Sequence, residues 1–238
     1  METAGYTTLT RQSGLLHEMQ VIANNIANAA TTGYRQEGLI FSEYVTGVED
    51  APSISMTRTS AHSTSMQQGA LTQTGGTFDF AIEGPGFFLI ETAEGERLTR
   101  AGNFSTSAEG TLVTPDGNPV LDAGGAPVFI PPASAALSVS SDGTISADGR
   151  PLGQLGLVQP TDPLDLIREA GVLFRFEGDV EPAENGAILQ GSLENANVEP
   201  VLQLSRMIEV QRAYELGQSF LDAENDRVRE ALRAMTRQ

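Results

Sequence analysis

The sequence predicts a mainly β central domain carrying long N- and C-terminal α-helices that pair as a coiled-coil-like assembly layer. Helix-patterned segments rich in small residues and side-chain amides stand at both ends: ANNIANAATTGYR (Ala23 to Arg35), and ENANVEPV (Glu194 to Val201) leading into MIEVQRAYE (Met207 to Glu215). Between them, short apolar runs alternate with turn signals, the mark of β-structure. Isolated helices are marginal in water, so a helix at each end of a β-body needs a partner for its apolar stripe. The chain divides into an N-terminal helix over 1–35, an extended connector over 36–67, a β-rich outer domain over 68–190 and a C-terminal helix over 191–238.

In the first helix Leu9, Gln12, Leu16, Met19, Ala23, Ile26 and Ala30 fall at alternating spacings of three and four, the seam of a coiled coil. The seam thins toward Ala, which lets another helix approach closely, and Asn24, Asn25 and Asn28 beside it supply amides that bond across the approach. Gly33 stops the helix, as glycine commonly does just past a C-terminus. Residues 36–67 are rich in Ser and Thr, lack a clear period and read as extended, with one strand.

The β-material begins with the alternating Phe78, Phe80 and Ile82, followed by GPGFFLI (Gly84 to Ile90), a tight turn into a hydrophobic strand. LTRAGNFS (Leu98 to Ser105) and GTLVTPDGNPVL (Gly110 to Leu121) come next, the second with the hairpin signal Asp116-Gly117. APVFIPP (Ala126 to Pro132), LSVSSDGTI (Leu137 to Ile145) with a second signal at Asp142-Gly143, and GQLGLV (Gly153 to Val158) complete the series. Short, regularly punctuated strands fit a compact β-domain rather than alternating β and α units, and about 120 residues of this kind can bury their own core. Residues 160–190 read as loop-rich apart from an apolar turn at Val172 to Phe176.

In the last helix Met207, Tyr214, Leu221, Val228 and Met235 recur every seven residues, with Leu204, Gln211, Gln218, Asn225 and Leu232 between them. Three of those five intervening residues are polar, which costs stability and fixes register or partner number. Pro200 sits where a first-turn proline is tolerated, and Glu199 suits the positive helix end.

The 238 residues carry 14 Arg, no Lys and 31 acids, a net charge of −17. Residues 36–197 hold 22 acids against six Arg, a net of −16, while the two ends are near neutral. Near-neutral ends pack against copies or relatives without strong repulsion, and an acidic body suits a solvated outer layer. With no basic stripe, the counterion-release contribution that dominates nucleic-acid binding is missing, and an anionic membrane surface is disfavoured on the same ground. There is no Cys, hence no disulfide and no thiolate metal site. The N-terminus lacks the features of a cleaved secretory signal, and no stretch approaches about 18 apolar residues.

The candidate chemical sites have simpler explanations. Gly84 and Gly86 lack the helix and third glycine of a phosphate loop and read as a β-turn. Asp142 and Asp148, each followed by Gly, match hairpin turns better than any calcium-loop spacing. His17 and His62 have no second His or Cys nearby for a metal, no Ser stands in a nucleophile elbow, and the carboxylates offer no selected acid–base pair. No catalytic, cofactor or metal residue is expected, and the chain does not read as an enzyme.

Taken together, ANNIANAATTGYR, then GPGFFLI with LTRAGNFS and GTLVTPDGNPVL, then ENANVEPV with MIEVQRAYE resemble the three signature blocks of the flagellar rod and hook proteins, in the family's order through nearly the whole chain. The resemblance implies an axial structural protein of the bacterial flagellum. It would be exported through the flagellar type III apparatus without a cleaved signal, and assembled with other rod proteins and copies of itself into the rod that spans the periplasm. Short length and a single modest β-body point to a proximal rod member, with a distal rod member as the near alternative. The resemblance also implies subunit-assembly roles for Asn24, Asn25, Asn28, Gly33, Tyr34, Asn195, Asn197, Gln211, Arg212 and Tyr214. Two departures stand out: Ala30, where the family often has a polar residue, and Arg in place of Lys throughout. A rival from another class is a secreted β-rich polysaccharide-binding protein with a helical oligomerisation stalk. It would need a groove of stacking aromatics, and the chain has no Trp and four Tyr.

Overall fold

The computed structural model describes residues 2–48, 51–131, 137–162, 165–169 and 171–236. The chain forms two compact units: residues 1–27, 37–65 and 199–238 make unit 1, and residues 28–36 and 66–198 make unit 2. The expectation of a mainly β protein with a helix at each end holds.

Unit 1 consists of α1 (Glu2–Ala27), the antiparallel strands β1 (Glu37–Val48) and β2 (Ala51–Thr64), and α2 (Pro200–Met235). The connector expected to hold one strand is thus a two-stranded ribbon, paired from Glu37 opposite Thr64 to Val48 opposite Ala51 with register shifts between Ile40 and Phe41 and between Thr46 and Val48. Its Thr, Val and Ile favour extended backbone without the apolar alternation that would mark two strands in sequence. Proline occupies the start of α2, and Glu199 caps it with extended backbone and no side-chain cap bond.

The helices run antiparallel, and the faces they turn toward each other correct both expected seams. Among the described side chains of α1 the buried residues are Gln12, Val21, Ile22 and Asn25; of the expected stripe Gln12 is buried and Met19 and Ile26 are half-buried, whereas Leu9, Leu16, Ala23 and Ala30 are exposed. On α2 Met207, Tyr214 and Leu221 lie inward as expected, but their partners are Gln203, Val210, Gly217 and Glu224; Leu204, Gln211, Gln218, Asn225 and Leu232 are exposed. A shift of one residue turns a helix face by about 100°, and buried amides, taken up below, select the face. The helix end is also corrected. α1 stops at Ala27, and the chain turns through Thr31 N–H donating to the Asn28 carbonyl at 2.9 Å, so Gly33 belongs to a later turn.

Unit 2 begins with β3 (Leu71–Gln73), β4 (Phe80–Glu83), β5 (Phe87–Thr92), β6 (Gly95–Thr99), β7 (Ser105–Thr106) and β8 (Leu112–Val113). It continues with β9 (Leu137–Val139), β10 (Thr144–Ala147), β11 (Arg150–Gln154) and β12 (Leu157–Pro160). The region expected to be loop-rich then supplies β13 (Leu166–Arg168), β14 (Leu173–Phe176), β15 (Val180–Pro182), β16 (Ala187–Gln190) and β17 (Ser192–Glu194). Runs of three or four residues show no period; β13 pairs with the next strand, β14, while β14 pairs also with β6, β15 with β12, β16 with β4 and β17 with β3, all further back in the chain. An antiparallel sheet of order β13-β14-β6-β5-β12-β15 is the largest; β9, β10 and β11 form a second, while β16 pairs with β4 and β17 with β3.

The run FFLI in β5 is buried on both faces because successive side chains point to opposite sides of a strand. Phe88 and Ile90 enter one apolar cluster with Phe80, Phe104 and Leu112. Phe87 and Leu89 enter another with Leu98, Val158 and Phe174. Phe88 meets Phe104 edge-on at 5.2 Å, and Phe87 meets Phe174 at 5.6 Å. The Asp-Gly turns form as read, with Gly117, Gly143 and Gly149 at positive φ and Asp148 itself at +49°.

Candidate functional site

The first and last signature blocks meet inside unit 2. Gly33 N–H donates to the Glu194 carbonyl at 2.7 Å, and Asn197 N–H to the Tyr34 carbonyl at 3.2 Å. The Asn197 side chain accepts from Gln36 N–H at 2.5 Å and donates to the Gln67 carbonyl at 2.7 Å, replacing backbone pairing where the segments diverge. Gly33 has φ +69°, and a Cβ there would fall 2.3 Å from the Ala101 nitrogen, so only glycine lets the segments close. Asn195 donates its backbone N–H to Ala70 and its side-chain amide to Thr72 Oγ1.

Under this junction lies an ionic cluster. Glu194 receives Arg35 Nη2 at 3.0 Å on Oε1 and Arg100 Nη1 at 3.2 Å on Oε2, with Gly69 N–H at 3.0 Å as a third donor. All three charged side chains are buried, and Glu194 is the one acid among the described residues that is. Carbonyl oxygens take up further donors: Gln67 and Met66 accept from Arg35, and Ile82 and Gly84 from Arg100. Burial lowers the pKa of both guanidiniums. For Arg100 the value falls to about 10, with Glu194 raising it and Arg35 lowering it further. Arg168 stacks between the Tyr34 and Phe174 rings at 4.7 and 4.8 Å and donates to the Arg35 carbonyl. Without that carboxylate, two buried cations would face each other, so the cluster ties residues 28–36 to 191–198 through charge that neither segment tolerates alone.

In unit 1, amides do the corresponding work. Asn25 is buried, accepts from Glu37 N–H at 2.9 Å, donates to the Glu37 carbonyl at 2.8 Å and reaches Gln203 Oε1 at 3.4 Å. One side chain thus closes the return of the chain into β1 and contacts α2. Gln12 donates to the Tyr214 carbonyl at 3.2 Å, and Gly217 leaves it room, since a Cβ there would lie 3.0 Å from Gln12 Nε2. Arg206 clasps Glu18 at 2.8 Å, which raises the arginine's pKa.

Of the residues expected to serve assembly, Gly33, Tyr34, Asn195 and Asn197 gather at the unit 2 junction. Asn28 bonds Thr31 within its own turn, Asn25 is the buried amide of unit 1, and Tyr214 is half-buried with its carbonyl bonded to Gln12. Asn24, Gln211 and Arg212 lie exposed on the helices, Gln211 donating to Glu215 at 3.2 Å. Sequence reading missed Arg35, Arg100, Arg168 and Glu194. The available signal was the scarcity of arginine in the acidic middle, where each cation is surrounded by potential partners, and the position of Arg35 directly after Gly33 and Tyr34.

No helix among the described residues is long and apolar enough to cross a membrane. Comparison with known proteins gives three family matches in order along the chain. They are the flagella basal body rod protein family over residues 3–35, the flagellar hook protein FlgE/F/G D1 domain over 81–147, and the flagellar basal body rod FlgEFG protein C-terminal over 189–234. The chain is 37% identical to the flagellar basal-body rod protein FlgF of Caulobacter vibrioides over 228 residues, 93% of each chain. It is 36% identical to FlgF of Mesorhizobium japonicum over 90% of each, and 31% identical to the rod protein FlgG of Bacillus subtilis over 94% of this chain and 96% of that one. These are structural proteins rather than an enzyme class. With the signature blocks joined in one buried junction and similarity running from end to end, this chain belongs to the flagellar basal-body rod protein family and is a structural subunit of the rod.

Proposed function

We propose that the chain is an FlgF-type subunit of the proximal rod, which assembles through its terminal helices and helps to form the shaft that transmits torque. Full-length similarity to FlgF proteins supports the FlgF-type assignment. The observation that carries assembly through the helices is their exposed apolar surface: Leu9 and Leu16 on α1, and Leu204, Ile208, Leu216 and Phe220 on α2 are exposed large apolar side chains. Asn24, Gln211 and Arg212 make contacts between subunits, where water exclusion strengthens amide and guanidinium bonds. Asn25, Asn28, Gly33, Tyr34, Asn195, Asn197 and Tyr214 hold the helices and their connections in the geometry that assembly requires. The helices of neighbouring subunits complete a coiled-coil-like inner layer, with residues 68–190 as the outer, acidic one. Partners are other rod proteins, copies of this chain and the flagellar type III export apparatus, which carries it out without a cleaved signal. Neither nucleic acid, membrane insertion nor a cofactor takes part.

A distal position is the second reading, favoured by the alignment with FlgG of Bacillus subtilis over nearly the whole of both chains. Deleting the gene and imaging isolated basal bodies by electron microscopy separates the two. A rod stalled before its distal segment, restored by the intact chain but not by one lacking residues 1–35, is expected. A rod stalled only after a complete proximal segment would favour the distal reading, and normal flagella with normal swimming would overturn both positions.

A further inference from the structure

An asparagine side chain closes a ring most readily on the nitrogen of a following glycine, which has no side chain to obstruct the approach. Of the asparagines in this chain only Asn185 precedes a glycine. It is exposed in the turn that leads from β15 to β16, and among the described residues no hydrogen bond holds its side chain. The Gly186 N–H donates to the Ala183 carbonyl at 3.3 Å, longer than the roughly 2.7–3.2 Å of an ordinary N–H···O bond. The comparable positions are restrained. Asp142, before Gly143, is tied to the Thr144 N–H and hydroxyl; Asn25 is buried and bonded to Glu37; and Asn118 precedes proline, which has no N–H to react.

The turn is packed closely from behind. A Cβ at Gly186 would lie 2.4 Å from the Pro85 carbonyl oxygen and 2.7 Å from Leu157 Cδ2, and one at Gly84 would lie 2.8 Å from the Asn185 carbonyl oxygen. The Gly84 carbonyl also receives Arg100 Nη2 at 2.6 Å. The Gly84–Pro85–Gly86 turn therefore stands between Asn185 and the ionic cluster.

We propose that Asn185–Gly186 is a site of spontaneous deamidation, at which the folded subunit loses ammonia and lengthens its own backbone. The Gly186 nitrogen bonds to Asn185 Cγ, and its proton leaves with the side-chain amide as ammonia, which closes a cyclic imide. Water then opens the imide at one of its two carbonyls. Opening at Cγ gives aspartate; opening at the main-chain carbonyl gives isoaspartate, in which the backbone runs through Cβ and Cγ. In both cases one water is consumed, one ammonia is released and a carboxylate replaces the amide, with no oxidant or reductant. Aspartate only adds charge at an exposed position. Isoaspartate inserts a methylene beside groups that already touch the Gly84–Pro85–Gly86 turn, and a close-packed interior transmits such strain. It displaces the start of β16, where Ala187 pairs with Glu83 of β4, and disturbs the carbonyl that holds Arg100.

The full chain is aged in mildly alkaline buffer and peptide-mapped by mass spectrometry, with isoaspartyl methyltransferase labelling to separate the two products. Asn185 should convert before any other asparagine. Its rate in the folded chain should fall below that in chain unfolded by guanidinium chloride by no more than about tenfold, the net worth of one hydrogen bond. Asn185→Gln, whose longer side chain disfavours the ring, should stay unmodified there. The aged chain should exchange the amide hydrogens of β16 faster than fresh chain, whereas Asn185→Asp, which carries the charge without the methylene, should match fresh chain. An Asn185 that persists in the folded chain while the unfolded chain converts would overturn the proposal, as would isoaspartate that leaves exchange in β16 unchanged.

Discussion

Replacing Glu194 with Gln keeps the shape of the buried junction and removes its only negative charge. Arg35 and Arg100 then face each other as cations, with Gly69 N–H still able to find an amide oxygen. Breaking a buried ion pair from one side costs about 3 to 5 kcal/mol. Glu194→Gln should therefore lower the stability of unit 2 by about 3 to 4 kcal/mol and its melting temperature by roughly 10 to 15 °C. Near-UV circular dichroism during urea unfolding isolates the event, because Tyr34 is the tyrosine of unit 2 while Tyr6, Tyr44 and Tyr214 belong to unit 1. The sign of the pH dependence is also fixed. A base whose folded pKa lies below its unfolded value binds more protons when unfolded, so stability rises with pH through the folded pKa. The variant, without the raising influence of Glu194, should begin that rise at a lower pH than the parent and so recover part of its loss as the pH climbs into the alkaline range. A midpoint within about 0.5 kcal/mol of the parent at pH 7 would refute the reasoning, since surface-like costs of that size mean that water reaches the guanidiniums.

Asn25→Ala strips both partners from the Glu37 backbone and should destabilise unit 1 by about 2 to 3 kcal/mol, read as faster hydrogen exchange at the start of β1, with swimming lost. Arg212→Ala, on an exposed helix face, should leave the isolated chain within about 0.5 kcal/mol of the parent yet abolish swimming if Arg212 bridges subunits; motile cells would remove it from the interface. Asp142 has its pKa lowered by the Thr144 backbone N–H first and the Thr144 hydroxyl second. The stability advantage of the parent over Asp142→Asn should be complete above the ordinary carboxylate value of 3.8 and disappear as pH falls through the lowered one, measured as the difference in urea midpoint across that range.

Much of the fold was legible because local rules sufficed. The FFLI run announced a hydrophobic strand, Pro200 announced a helix start, and the Asp-Gly pairs announced turns. The helix seams were not legible to within one residue, for a definite reason. Each helix carries two apolar stripes, one turned inward and one open, and periodicity cannot say which is which. The choice is made by Asn25 and Gln203, whose amides are buried and bonded; polar residues at seam-adjacent positions look like solvated ones until their partners are known. The short strands from β13 to β17 escaped notice because three or four residues carry no period and, for β14 to β17, a partner lies further back in the chain.

The ionic cluster was hidden for a different reason, and that reason explains its use. In a middle region of 22 acids and six Arg, an acid paired with an arginine is the default surface expectation, and nothing local marks Glu194 as the acid that goes inward. Once inside, it contributes less to stability than apolar packing of the same volume could, because desolvating three charges offsets most of their attraction. Its value lies in discrimination. Arg35 follows the first helix, Glu194 precedes the last, and Arg100 sits between the core strands, so one correct pairing satisfies all three and any misplaced closure buries a cation alone. A triple variant carrying Arg35→Met, Arg100→Met and Glu194→Leu should accordingly keep or raise thermal stability. If the cluster serves discrimination, that same variant should refold more slowly and show a broadened near-UV signal of Tyr34, whereas a uniquely folded variant refolding at the parental rate would leave the three charges with no role in directing the fold.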